Sequence, residues 1–140
     1  MTVKQYLNQI RLLDIRIDQR IEQAEEIKQK AFLIEAVDTT KDRVQSSQSE
    51  SNLKYVDKYV DMMAEIDKLV DEYVDLKNKI IGEIHQLEDQ RYMEVLYLRY
   101  VNGLRFIEIA KAMGYGDRHV KRLHHAALRE FGKKMSFNVT

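Results

Sequence analysis

Not one of the 140 residues is proline and only five are glycine, so little in this chain stops a helix once it has begun. Apolar side chains then recur at Val3, Tyr6, Ile10, Leu13, Ile17, Ala24, Ile27, Ala31 and Ile34, with Arg20 the one polar occupant of the series. Steps alternating between three and four put all of these on one face of a helix, predicted from Val3 to about Val37. Thr2 stands where an N-cap is needed. A second series fills Leu53 to Leu87. Val56, Met63, Val70 and Ile84 share a seven-residue spacing broken at Lys77, and Tyr59, Ile66, Tyr73, Ile80 and Leu87 form a companion set. Val60, Leu69, Val74, Leu76 and Ile81 widen this stripe beyond a narrow two-stranded seam.

Between the two segments lies Asp38 to Asn52, DTTKDRVQSSQSESN, polar and rich in Ser and Thr. It is expected to be a linker or loop, either flexible or turning the chain back on itself. Two helices of roughly 35 residues, each roughly 50 Å long, cannot bury such stripes alone. They are expected to pack on each other and, through the wider stripe, on further copies of the chain. The predicted fold class is all-α: a long antiparallel helical hairpin or coiled coil over residues 1–89, followed by a helix-turn-helix domain over residues 90–135.

A net charge of zero conceals an uneven distribution. From Gln90 to Thr140 there are ten Lys and Arg against four acids, a net of +6, and the first 89 residues carry −6. The basic end can attract a polyanion that the acidic end repels. There is no cysteine, hence no disulfide framework and no thiolate metal site. No run of eighteen apolar residues suggests a membrane span, and the N-terminal stretch lacks the uninterrupted apolar core of a secretory signal. No phosphate-binding glycine loop and no paired catalytic constellation is present. Neither an enzyme nor a cofactor is expected.

The basic end contains three helical patterns separated by two glycine turns. Tyr92–Tyr100 is followed by Val101-Asn102-Gly103, whose Asn-Gly pair suits positive φ. Phe106–Met113 is followed by Gly114, and a third pattern runs from about Asp117 to Phe131. The last two patterns meet the requirements of a helix-turn-helix. Ala110 is small enough for a close crossing, Gly114 allows a sharp turn, and Val120 and Leu123 face inward. Asp117, Arg118, His119, Lys121 and Arg122 then point outward at the start of the second helix, where a DNA-reading helix meets base edges. Arg118 and Arg122, one turn apart, are the expected base contacts, and His119 and Lys121 the expected phosphate contacts. Lys111, on the helix that crosses the backbone, is a further phosphate candidate. Arg99 and Arg105 either touch the backbone or hold the helices together. His124 and His125 lack a third ligand at helical spacing, which argues against a metal site.

The stretch LYLRYVNGLRFIEIAKAMGYGDRHVKRLHHAALREF resembles region 4 of the sigma-70 class of RNA polymerase sigma factors. The resemblance rests on Leu96, Leu98, Arg99, Tyr100, Leu104, Glu108, Ile109, Ala110, Gly114, Val120, Ala127 and Leu128, and covers about the last third of the chain. It implies a DNA-binding domain able to contact RNA polymerase. Where sigma factors commonly cap the recognition helix with Ser or Thr, this chain has Gly116. The region that reads the −10 promoter element in complete sigma factors has no counterpart here.

The layout as a whole, two long helices around Val44-Gln45-Ser46-Ser47 and then the region-4-like end, is similar to small regulators of phages and prophages of Gram-positive bacteria. Some of these activate late genes. The resemblance implies a sequence-specific regulator of transcription in the bacterial host cytoplasm, associated with the nucleoid. Double-stranded DNA, host RNA polymerase and further copies of the chain are the implied partners. Two alternatives share the same parts: a DNA-recognising packaging component of the small-terminase kind, and a module that binds polymerase or an anti-sigma protein instead of DNA.

Overall fold

The computed structural model describes residues 1–40 and 46–136, with side chains described for 1–33 and 52–136. Among the described residues five α-helices follow in order: α1 (Val3–Thr40), α2 (Ser46–Ile84), α3 (Gln90–Leu96), α4 (Phe106–Met113) and α5 (Asp117–Met135). A π-helical turn, Tyr97–Val101, extends α3. The protein is all-α, with no strand among the described residues.

Local chemistry explains where these helices begin and end. Thr2 Oγ1 accepts from the Gln5 backbone N–H at 3.2 Å, and Gln5 Oε1 accepts from the Thr2 N–H at 2.9 Å. This reciprocal box satisfies two donors that a helix start leaves open. Both long helices run further than their apolar stripes. The expected linker from Asp38 to Asn52 is therefore helical over residues 38–40 and 46–52. Ser, Gln, Glu and Asp at the edges of a proline-free segment reduce helix propensity only by tenths of a kcal/mol each, roughly, and do not break it. Residues 41–45, the rest of that expected linker, lie outside the described residues.

At the other end α2 stops at Ile84, three residues short of Leu87. Leu87 is buried all the same, because the turn after α2 carries it inward. Asp89 then caps α3 by accepting from the Arg91 N–H at 2.9 Å.

The described contacts divide the chain into two compact units. One unit combines Met1–Asp14 with the chain from Tyr73 onward, and the other is Ile15–Glu72. The first unit holds a continuous core in which Val3, Leu7, Ile80, Ile84, Val95, Leu96, Ile109, Val120 and Phe131 have no more than a trace of exposed surface. The reason is size. A helix-turn-helix of some 45 residues has too little interior to bury its own apolar faces. Here the first turns of α1 and the last turns of α2 complete it. The ring centroids of Tyr6 and Phe131 lie 6.2 Å apart, and the Tyr6 hydroxyl is hydrogen-bonded to the Glu83 carboxylate.

In the second unit α1 and α2 run antiparallel. Arg20 lies 3.6 Å from Glu65, and the Asn52 side-chain amide donates to the Ala31 carbonyl at 2.8 Å. Ile17, Ala24, Ala31 and Ile66 are buried between them. Of the two expected α2 sets, Ile66 is covered here and Tyr59 is half-buried, whereas Val56 and Val70 remain exposed, as does Val60 of the widened stripe.

Candidate nucleic-acid interface

The π-helical turn ends α3 with widened hydrogen bonds. Asn102 N–H donates to the Tyr97 carbonyl at 3.1 Å, and Leu104 N–H donates to the Leu98 carbonyl at 3.0 Å. Gly103, at φ +70°, then reverses the chain. Of the Asn-Gly pair only the glycine takes the left-handed conformation; Asn102 has φ −87°.

At the start of α4 the Glu108 carboxylate accepts from the Arg105 backbone N–H at 2.9 Å and from its Nε at 3.1 Å. These bonds, the backbone one first, hold the Glu108 carboxyl below its usual pKa. Helix α4 closes on Gly114, at φ +72°, which only glycine adopts without strain. Tyr115 N–H donates back to the Ala110 carbonyl at 2.9 Å. Gly116 is extended and caps α5 without a side-chain acceptor. The start of α5 is instead supported by Asp117, whose negative charge suits a helix N-terminus and which pairs with Lys121 at 3.3 Å.

Helix α5 lies in the domain by burying Val120, Leu123, His124, Ala127, Leu128 and Phe131. Its opposite face carries Arg118, His119, Lys121 and Arg122, all exposed. Arg118 and Arg122 make no ion pair among the described residues. His119 lies edge-on to the Tyr115 ring at 4.6 Å, so its imidazole is steered by the turn residue before the helix. Lys111 is exposed on α4.

The two remaining candidates are engaged within the domain. Arg99 Nη1 donates to the Leu104 carbonyl at 3.0 Å, and its guanidinium lies 4.4 Å from the centre of the Phe106 ring. Arg105 is committed to Glu108. Of the two roles open to Arg99 and Arg105, this geometry supports holding the helices.

A buried pair that sequence reasoning did not foresee supports α5 from behind. Tyr100 Oη and His124 Nε2 are hydrogen-bonded at 2.7 Å, and the Phe106 ring stands edge-on to the imidazole at 5.0 Å. Burial pushes Tyr100 up to about 12. Burial, with the positive charges of Arg99, Lys4 and His125, pushes His124 down to about 4. Both groups are therefore neutral near pH 7, as a paired buried polar group should be. Among the described residues no cluster of three His, Cys, Asp or Glu could hold a metal ion. Arg129 is a further exposed cation on α5. Its spacing of seven from Arg122 was the signal available in the sequence.

No helix among the described residues is long and apolar enough to cross a membrane. No curated protein and no solved structure gives a significant match to the chain. The family model for Sigma-70, region 4 matches residues 84–130, a stretch that begins at the last residue of α2 and ends within α5. Residues 84–130 are a sigma-70 region 4 domain, a helix-turn-helix DNA-binding fold.

Proposed function

We propose that this protein is a sequence-specific regulator of transcription that reads the major groove of double-stranded DNA with the first turns of α5. The observation that carries this reading is the placement of Arg118 and Arg122. They lie one helical turn apart at the exposed start of the second helix of a sigma-70 region 4 domain, with no acid paired to either among the described residues. Arg is the side chain best suited to a two-pronged contact with guanine. His119, Lys121 and Lys111 flank them as phosphate contacts, and Asp117 orients Lys121. Arg99 and Arg105 act indirectly, by fixing the loop and the start of α4.

The long helices supply self-association. Val56, Val60 and Val70 stay exposed on α2, although nearby Ile66 is covered. A dimer presents two reading helices, so its sites consist of half-sites separated by whole helical turns. The layout of the chain supports a phage or prophage regulator acting in the host cytoplasm at the nucleoid. Contact with host RNA polymerase is favoured by one specific feature. A cleft of about 270 Å³ is lined by His85, Gln90, Met93, Glu94, Tyr97 and Leu98, offering an apolar floor with polar edges to a protein segment.

The test is selection from random duplex DNA, followed by binding measurements on the enriched site at several salt concentrations. Enrichment of a defined site, with affinity falling as salt rises, is the expected result. Arg118→Ala combined with Arg122→Ala should weaken binding at least tenfold, about 1–3 kcal/mol for each lost base contact, with helicity unchanged. Binding that persists in this double variant places the reading face elsewhere. A lack of duplex binding at low salt makes the domain a protein-interaction module.

A further inference from the structure

Helix α2 carries two stripes of apolar side chains, and the described residues cover one of them. On the covered stripe Ile66 and Ile80 are buried, with Tyr59 and Tyr73 half-buried. Asp67, Val74 and Ile81 each follow a member of that stripe directly. With Met63, Val70 and Lys77 they form a second series in steps of four and three. One residue turns a helix by about 100°, so this series lies on a separate face of the same unbroken helix. Asp67, Val70 and Val74 are exposed there, and Met63, Lys77 and Ile81 are half-buried.

The two polar members of the series carry opposite charges. Neither makes an ion pair among the described residues. The Lys77 ammonium donates to the Tyr73 hydroxyl at 3.4 Å and lies 5.4 Å from the centre of that ring, with no carboxylate to answer it. Asp67 stands five positions before Glu72 and Lys77 five positions after it. Val70 and Val74 stand two to either side, and Met63 and Ile81 nine.

We propose that this second face of α2 binds the same face of a second copy of the chain, antiparallel, about a twofold axis at Glu72. The inference deepens the self-association reading and rests on it. Positions equally far from Glu72 then meet: Asp67 with the partner's Lys77, Val70 with the partner's Val74, and Met63 with the partner's Ile81. The twofold repeats each pair. The interface, roughly 27 Å long, has apolar layers at its centre and ends and an ion pair in each layer between. Val60, twelve positions before the axis, reaches the last turn of the partner's α2. A parallel pair would set Asp67 on Asp67 and Lys77 on Lys77, like charge on like. A slip of one heptad would set both charges against apolar side chains, without compensation for the water they lose. On the exposed flank Lys68 falls roughly opposite the partner's Asp75, which offsets the like pair of Asp71 with its own copy.

Sedimentation of the full chain tests the pairing in the wild type, Asp67→Lys, Lys77→Glu and the variant with both changes, with helicity checked by circular dichroism. Each single reversal sets like charges together in two layers and should weaken the dimer about tenfold or more. The double reversal restores opposite charges and should return the affinity to within about threefold of wild type. The chain has no cysteine, so introduced thiols report orientation without background. Met63 and Ile81 lie about 27 Å apart along one helix. Met63→Cys and Ile81→Cys should therefore form a disulfide-linked dimer when the two variants are mixed and oxidised, and none when each is oxidised alone. The antiparallel pairing is wrong, and self-association stands, if the single reversals dimerise like wild type or the double reversal stays as weak as they are. The same holds if the mixed thiols fail to link or either variant links to its own kind. A wild type that stays monomeric at every concentration removes the inference and the self-association reading together. The DNA-reading face is tested separately, by Arg118→Ala with Arg122→Ala.

Discussion

The two units of this protein use the same helices in different ways. In the unit that holds the region 4 domain, α1 and α2 contribute Val3, Leu7, Ile80 and Ile84 to a core shared with α3, α4 and α5. All nine of the largest fully buried side chains lie there. In Ile15–Glu72 the same two helices pack, among the described residues, on each other. Among the described residues two of its four buried apolar side chains are alanine, and Val56, Val60 and Val70 stay exposed. Two helices make one seam, and one seam covers one stripe. A third and fourth element are needed to enclose Leu and Phe side chains. The lesson is that a long amphipathic helix has no fixed stability along its length; its neighbours set it.

The sharpest way to break the comparison is to empty each core in turn. Phe131→Ala should destabilise the region 4 unit by about 3–5 kcal/mol, read as a lower urea midpoint and a loss of DNA binding. Ile66→Ala should cost less, about 2 kcal/mol, and leave DNA affinity of the folded protein intact. Equal losses from the two changes would show that the units unfold as one.

Acid should act next, and on the region 4 unit. His124 titrates near 4 when folded and near 6.5 when unfolded. The unfolded chain therefore binds more protons between those values, and stability falls as pH drops from about 6.5 to about 4. The loss is on the order of 3 kcal/mol, from 1.36 kcal/mol per pKa unit. His124→Gln should flatten that stretch of the stability profile measured by urea unfolding. A profile identical to wild type would remove His124 as its cause.

Tyr100→Phe should cost about 1–3 kcal/mol by leaving the imidazole without its partner, detected as a lower melting temperature with α5 still helical. Smaller again is the expected result for the other unit. Val56→Ser with Val60→Ser should reduce self-association in sedimentation while leaving the melting of the region 4 unit unchanged. Smallest of all, Glu65→Gln removes the exposed Arg20 pair and should change stability by less than about 1 kcal/mol. A larger effect would mean that Arg20 and Glu65 are shielded from water by a second copy.

Several elements were legible in the sequence because their causes are local. Phe106–Met113 and the start of α5 at Asp117 match their predicted bounds. Gly114 takes the left-handed conformation its turn needs, and Thr2 caps α1. The polar stretch 46–52 was misread because composition was given more weight than the absence of any breaker. The roles of Arg99, Arg105, Arg118, Lys121 and Arg122 could not be separated from spacing alone. All five stand near turns or helix starts, and only the positions of Leu104, Phe106 and Glu108 show which guanidiniums are already engaged.

By itself the sequence determined an all-α chain, the succession of its helices, and the region 4 motif with its exposed Arg118 and Arg122. Periodicity, capping and the φ demands of single glycines act over a few residues and are written in their order. Tertiary structure decided which apolar stripe is covered, that α1 completes the core of the region 4 unit, and that His124 is buried and neutral against Tyr100. Those outcomes depend on contacts between residues tens of positions apart, and what such contacts contribute depends on which other surfaces compete for the same apolar face.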